Sequence, residues 1–256
     1  MGTFRFKKFS VVNERSAMKV NTDGVLLGAV MDIRPEDRSL LDIGTGTGTI
    51  ALMAAQRLSV LSAEVSIDGN SRDIAAGYQV EAIDIDEPSA TEAAQNFANS
   101  PWADNLNANN LSLDQYAESL PADKYFDLIF SNPPYFEDSL TAPDQRKSTA
   151  RHTSAGLSYR DIFDFAAERL SADGRVAFVL PSDQEVALCR YARMSGLHLF
   201  RITRVRTVPR KAPSRIIAEF SKHRKENPED TTLTIQNEGA YTQEYLNVMK
   251  EFYLFA

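Results

Sequence analysis

The sequence predicts an α/β fold: a seven-stranded, mostly parallel sheet with helices on both faces and an antiparallel last strand. Three observations carry that prediction. Apolar runs rich in β-branched residues alternate with stretches of helical periodicity, as a parallel sheet requires when each crossover is a helix. The first run ends in a glycine-rich turn, Asp42-Ile-Gly-Thr-Gly-Thr-Gly48, that leads directly into helical sequence. The last two runs follow each other with no helix between them, so they should pair antiparallel.

Along the chain, Val25 to Met31 reads as a short apolar helix after a capped turn. Ser39 to Ile43 is the first strand and Ile50 to Leu58 its helix. The following polar stretch, residues 59–79, exceeds an ordinary connection and reads as a surface insertion about the size of a small hairpin. Val80 to Ile85 is the second strand, Ser89 to Ala98 a helix, Asn110 to Leu113 a short third strand and Tyr125 to Phe130 the fourth. Tyr159 to Leu170 is helical, and Arg175 to Leu180 is a fifth strand bounded by Asp173-Gly174 and Pro181. Glu185 to Met194 closes that unit as a helix. Leu197 to Val208 and Arg215 to Phe220 are the final strands, split by the turn Pro209 to Pro213, and Tyr241 to Phe255 reads as an amphipathic helix packed on a single domain of 256 residues.

Composition narrows the function classes. A hydrophobic content of 43% is ordinary for a globular chain, and the longest apolar run is far short of the ~20 residues of a membrane span. The N-terminus alternates Phe with Lys and Arg instead of building an apolar signal core, so the expected location is the cytoplasm. The lone Cys189 excludes an internal disulfide, and no metal site is expected. A net charge of -7 argues against a generic nucleic-acid coat. Charge is uneven, however: Arg201, Arg204, Arg206, Arg210, Lys211, Arg215, Lys222, Arg224 and Lys225 face a single acid, Glu219, within one segment. Arg206, Arg210, Lys211 and Arg215 are therefore candidate RNA contacts.

Two motifs carry chemistry. In the first, Gly44, Gly46 and Gly48 let the backbone approach a ligand where a helix N-terminus offers free N–H groups. The spacing G-x-G-x-G after Asp42 differs from a nicotinamide fingerprint and favours S-adenosylmethionine (SAM), whose cationic amino group Asp42 would meet directly or through water. Vicinal ribose hydroxyls need an acceptor pair at the end of the second strand. Asp84 and Asp86 share one strand face there. Asp84 is the preferred ribose ligand, and Asp86 alternatively caps the next helix.

The second motif, Asn132-Pro133-Pro134-Tyr135, directly follows the fourth strand. Consecutive prolines hold extended backbone and leave carbonyl acceptors unpaired. An exocyclic amine on a ring is a poor nucleophile because its lone pair is delocalised. Accepting its two protons, one by the Asn132 side-chain oxygen and one by the Pro133 carbonyl, pushes nitrogen toward a tetrahedral geometry. Tyr135 offers a face for stacking the base, and no strong general base is required.

Taken together, these motifs resemble the amino-group methyltransferases, within which adenine-N6, guanine-N2 and protein-glutamine-N5 enzymes share the Asn-Pro-Pro-Tyr pattern. The ends of the chain narrow the resemblance. Phe9-Ser-Val-Val12, Met18-Lys-Val-Asn-Thr-Asp-Gly-Val-Leu-Leu-Gly-Ala29, Tyr241-Thr-Gln-Glu-Tyr245 and Lys250-Glu-Phe-Tyr-Leu254 look like the bacterial tRNA(Val) adenine-37 N6-methyltransferases. That resemblance implies a class I, Rossmann-like SAM-dependent fold, a tRNA substrate and a monomer. It places residues 1–38 on the cofactor side, with Lys19, Thr22 and Asp23 beside the methionine part of SAM. It also puts Arg151 and His152 at the RNA entrance. The acid that in this family contacts the adenine of SAM has no direct match here: Ser112 occupies the aligned position and Asp114 lies two residues on. Only 41 residues precede Asp42, which disfavours the protein-glutamine enzymes with their separate N-terminal helical domain.

Overall fold

A computed structural model describes residues 2–67, 77–134 and 157–256. A small antiparallel hairpin, β1 (Thr3–Arg5) and β2 (Ser10–Val12), precedes helix α1 (Thr22–Val30). The main sheet begins with β3 (Ser39–Ile43), crosses through α2 (Thr49–Ile67) to β4 (Gln79–Asp84), and through α3 (Glu87–Ala98) to β5 (Leu106–Asn110). Helix α4 (Leu113–Ser119) leads back to β6 (Phe126–Ser131). Next come α5 (Tyr159–Arg169), β7 (Leu170–Pro181), α6 (Glu185–Met194), β8 (His198–Arg206) and β9 (Arg215–Ser221). The end of the chain adds β10 (Glu229–Thr234), a hairpin of β11 (Gln236–Asn237) and β12 (Ala240–Tyr241), and α7 (Gln243–Met249).

The strands order as β10-β8-β9-β7-β6-β3-β4-β5. Every pairing is parallel except those of β9, which runs against both β7 and β8. Strand alternation splits the apolar residues between two cores. Leu40, Leu128 and Phe130 pack on one face with α1, α2 and Phe97 of α3, while Leu41, Ile129 and Ile43 pack on the other with Phe163 and Leu188. Beside β3 the order reverses, β4 and β5 lying to one side and β6 and β7 to the other. At such a reversal the flanking crossovers diverge and open a crevice at the carboxyl ends of the strands.

Several expectations are corrected. The sheet has eight strands, because the polar segment Glu229–Thr234 pairs along β8 at an edge where four of its six side chains are exposed. The third strand is Leu106–Asn110 rather than Asn110 to Leu113. Its sequence, LNANN, is a weak strand former, but it pairs with β4 along its length. Ser112 instead starts α4, in a reciprocal capping box with Gln115. Helix α2 runs to Ile67, into the expected insertion, and Ser59 within it turns its hydroxyl back to the Gln56 carbonyl (2.8 Å). Residues 68–76 of that insertion lie outside the described residues. Strand β7 starts at Leu170, with residues 171–174 bulged between the Phe126–Leu170 and Leu128–Arg175 pairs. The C-terminal helix is confined to Gln243–Met249.

Candidate active site

The glycine turn leaves β3 at the sheet reversal. Gly44, Gly46 and Gly48 all have positive φ (73°, 56° and 79°), a left-handed path that disfavours residues with a Cβ. Gly44 and Thr45 donate backbone N–H to the Ile83 carbonyl (2.9 and 3.0 Å), and Gly46 donates to Asp84 Oδ2 (2.8 Å). Gly44 and Gly46 border a cavity of about 370 Å³, within the size range of small-molecule sites. Gly48 does not. A Cβ there would fall 2.5 Å from the Phe97 ring, so this glycine serves packing of α3 against the turn.

Asp42 sits beneath the turn, not in the cavity wall. It is fully buried, accepts the Thr45 hydroxyl on Oδ2 (2.7 Å), and its Oδ1 has no hydrogen-bond partner. Burial, reinforced by the charge of Asp84, pushes its pKa from 3.8 up to about 7, against the Thr45 bond. Between those values the folded chain holds a proton that the unfolded chain has released, so stability declines as pH rises through this window. Asp42→Asn keeps the acceptor for Thr45 and removes the ionisation. Relative to the parent it should gain about 1 kcal/mol or more in going from about pH 5 to about pH 8. Urea unfolding at the two pH values measures this, and a difference that does not change with pH contradicts the assignment.

Asp84, at the end of β4, accepts from Gly46 N–H on one oxygen and from Asp86 N–H (2.9 Å) on the other, and burial raises its pKa. It lines the cavity while fixing the turn. Asp86 also borders the cavity, but its Oδ2 accepts from Ser89 N–H (3.0 Å) and Ser89 Oγ (2.6 Å), which makes it the N-cap of α3. Beyond them Ile83, Ile85, Leu111 and Leu113 form an apolar slot. Ile85 is 72% exposed, so its apolar side chain is open to contact from within the cavity. Ser112 and Asp114 both line this end of the cavity.

The opposite wall is the segment Ser16–Met18. Glu92 of α3, 1% exposed, receives the backbone N–H groups of Glu14 (2.8 Å), Arg15 (2.7 Å) and Ser16 (3.2 Å). Asn96, one turn on, holds both backbone groups of Val12 and the Thr47 carbonyl. Ser89 Oγ and Ser16 Oγ lie within hydrogen-bond reach of each other (3.0 Å). These three were missed in the sequence, yet their spacing of three and four is a buried polar stripe on one helix face, a signal open to reading. Lys19 lines a small recess against the glycine turn, with Nζ on the Glu14 carbonyl (2.8 Å). Thr22 and Asp23 depart from expectation. Helix geometry turns them away from the cofactor cavity toward a second one, where Asp23 pairs with Arg215 (2.7 Å).

Asn132 emerges from β6, whose end is tied to β3 by the Ser131 hydroxyl on the Ile43 carbonyl (2.6 Å). Its side chain is 6% exposed and faces the cavity and the recess at once, with Nδ2 directed at Met18 Sδ (3.5 Å). Pro133 is buried and Pro134 borders the cavity. Tyr135, Arg151 and His152 lie outside the described residues. Of the basic segment, Arg204 is tied to Glu185 and Asp230, Arg206 to Thr234 Oγ1 and the Pro209 carbonyl, and Arg215 to Asp23. Arg210 and Lys211 are exposed on the β8–β9 turn. No group of three or more His, Cys, Asp or Glu among the described residues could hold a metal ion, and no described helix is long and apolar enough to cross a membrane.

The cavity suits SAM on its own terms. The glycine backbone gives close approach, Asp84 faces it as an acid, and the apolar slot accepts a planar ring. A sheet of this order with its seventh strand reversed, carrying a glycine turn at the switch point, belongs to a class I SAM-dependent methyltransferase. No family model matches the chain. It is 38% identical over 253 residues to the tRNA1(Val) (adenine(37)-N6)-methyltransferase of Parabacteroides distasonis, covering 98% of this chain and 97% of that one. It is 37% identical over 252 residues to the protein so named from Flavobacterium psychrophilum, covering 98% and 99%. The chain belongs to the tRNA1(Val) (adenine(37)-N6)-methyltransferase family. Among solved structures its fold is similar to that of a "predicted O-methyltransferase" from Agrobacterium tumefaciens, with a TM-score of 0.60, 16% identity and coverage of 90% of this chain and 96% of the other.

Proposed function

We propose that this protein transfers the methyl group of SAM to N6 of adenine 37 in tRNA1(Val). The observation that carries the reading is that Asn132 and Pro134 border the same cavity as the glycine turn and Asp84, so an amine held at the motif meets the cofactor. Bound SAM supplies an electrophilic methyl on a sulfonium that departs as a neutral thioether. With the amide nitrogen of Asn132 turned to Met18, Oδ1 is the atom that accepts one N6 proton, and the Pro133 carbonyl accepts the other. The nitrogen lone pair is thereby aimed at the methyl. With SAM bound, transfer to N6 would break the S–CH3 bond as the N6–CH3 bond formed, and the amine proton would leave late to solvent. Asp84 holds the ribose, and Lys19 closes the methionine end.

Substrate docking falls to the exposed Arg210 and Lys211, on a turn that Ser182 ties to the end of β7 through the Pro213 and Ser214 carbonyls, on the sheet edge that carries Asn132. Arg206 and Arg215 shape that turn through their internal bonds. The protein acts as a monomer in the cytoplasm, where its tRNA is. The test is nucleoside mass spectrometry of tRNA incubated with the purified protein and SAM: N6-methyladenosine at adenine 37 is expected, and N2-methylguanosine or no methylated nucleoside rejects the reading. Binding to tRNA should also weaken steeply with salt. Replacing Arg210 and Lys211 together with Ala should lower the log–log slope by about one unit per lost phosphate contact and leave SAM affinity unchanged.

A further inference from the structure

A second cavity, of about 390 Å³, lies between the start of α1, the β8–β9 turn, the β11–β12 hairpin and α7, with Asp23, Thr207, Arg215, Gln236 and Tyr241 in its wall. We propose that it takes one unpaired nucleotide of the tRNA substrate close to the adenine being methylated. The base lies against Tyr241 and the phosphate on Arg210 and Lys211, an assignment that rests on the tRNA reading above.

Lys19, Asn21 and Gly24 line the recess against the glycine turn, whereas Thr22, Asp23 and Leu26 line this cavity. The two spaces therefore share one thin wall, and both open at the carboxyl edge of the sheet. A polynucleotide that delivers a base to Asn132 has its neighbouring nucleotides within reach of this cavity.

The chain after β10 continues along β8, Ile235 N–H bonding the Arg206 carbonyl (3.0 Å) and Gln236 N–H the Thr207 carbonyl (2.8 Å). It then reverses through Glu238 and Gly239, both at positive φ (49° and 83°). A glutamate in the left-handed region is strained backbone, and it delivers Tyr241 to the cavity. The Tyr241 ring stacks on Tyr245 (centroids 5.0 Å apart) and on Phe255 (5.1 Å), yet the residue is 42% exposed. An exposed ring that is already held adds little ordering cost on binding.

Asp23 and Arg215, 2.7 Å apart, place carboxylate acceptors beside guanidinium donors, and Gln236 and Thr207 add an amide and a hydroxyl, groups that match the edge of a base. Asp23 offsets the charge of Arg215, and Glu244 is engaged by Thr234 N–H (3.4 Å), so Arg210 and Lys211 are the cations left for a phosphate. These polar walls suit a nucleotide better than an apolar peptide anchor.

The test compares the full-length protein with Tyr241→Ala and Tyr241→Phe on tRNA. Tyr241→Ala should raise the KM for tRNA between roughly fivefold and 100-fold, with SAM affinity and kcat at saturating tRNA within about twofold of the parent. Tyr241→Phe, which keeps the ring, should restore KM to within about twofold. A series of anticodon stem-loops, each lacking one loop base, then locates the nucleotide: one deletion should cost the parent as much as Tyr241→Ala does, and cost Tyr241→Ala nothing further. An unchanged KM in Tyr241→Ala, or deletions that cost parent and variant alike, overturns the subsite while leaving the tRNA reading intact. A parent that fails to methylate tRNA overturns that reading and the subsite with it.

Discussion

Asn132→Ala is expected to lower turnover by at least about 1,000-fold while changing SAM affinity less than about threefold. The asymmetry follows from when the side chain acts. Its acceptor matters most as the amine pyramidalises, an interaction stronger in the transition state than in either bound ligand. Its nitrogen donates to the Met18 sulfur (3.5 Å), a weak bond, and the cavity wall on that side is held separately by Glu92 and Ser89. Single-turnover methylation together with calorimetric SAM titration separates the two effects. Turnover within about tenfold of the parent would sink the assignment of Asn132, and an equal loss in both quantities would recast it as a cofactor ligand.

The second large effect is expected at Asp84. One carboxylate there holds Gly46 N–H, Asp86 N–H and, in the proposed complex, the ribose hydroxyls. Charge-assisted bonds of this kind are each worth roughly 1.5 to 3 kcal/mol, so Asp84→Ala should weaken SAM binding by about 100-fold or more. Asp86→Ala is the discriminating control. As the N-cap of α3, Asp86 should cost about 1 kcal/mol of stability when removed, with SAM affinity within about threefold of the parent. If the two variants trade places in calorimetry, the ribose contact belongs to Asp86.

Much of the site was legible in advance because it is local. Asp42 to Gly48, Asp84 and Asn132 to Pro134 each stand at the end of a strand whose apolar run announces it. The turn chemistry of glycine and proline depends on backbone sterics, which travel with the sequence. Hence the first, second and fourth strands, the helix Glu185–Met194 and the antiparallel pairing of the last long strands were found within a residue or two. The misses share one cause. LNANN, a weak strand former, becomes a strand because β4 offers it an edge to pair with, and the threonines of EDTTLT favour a strand whose place along β8 only the sheet decides.

By itself, then, the sequence determined the alternation that makes this an α/β chain, the glycine turn that must bind something, and the Asn-Pro-Pro acceptor that suits a planar amine. Only the tertiary structure decided which neighbours those residues meet. Gly48 faces Phe97 instead of a ligand, Asp42 lies buried under its loop, Thr22 and Asp23 serve a different cavity, and Arg201, Arg204 and Arg215 of the basic segment are spent on internal ion pairs. The physical reason is separation along the chain. Glu92 meets residues 14–16 across more than 75 positions and Arg215 meets Asp23 across 192. Contacts closed over such distances arise from how the sheet brings its elements together, whereas the backbone preferences of a turn are already set by the few residues that form it.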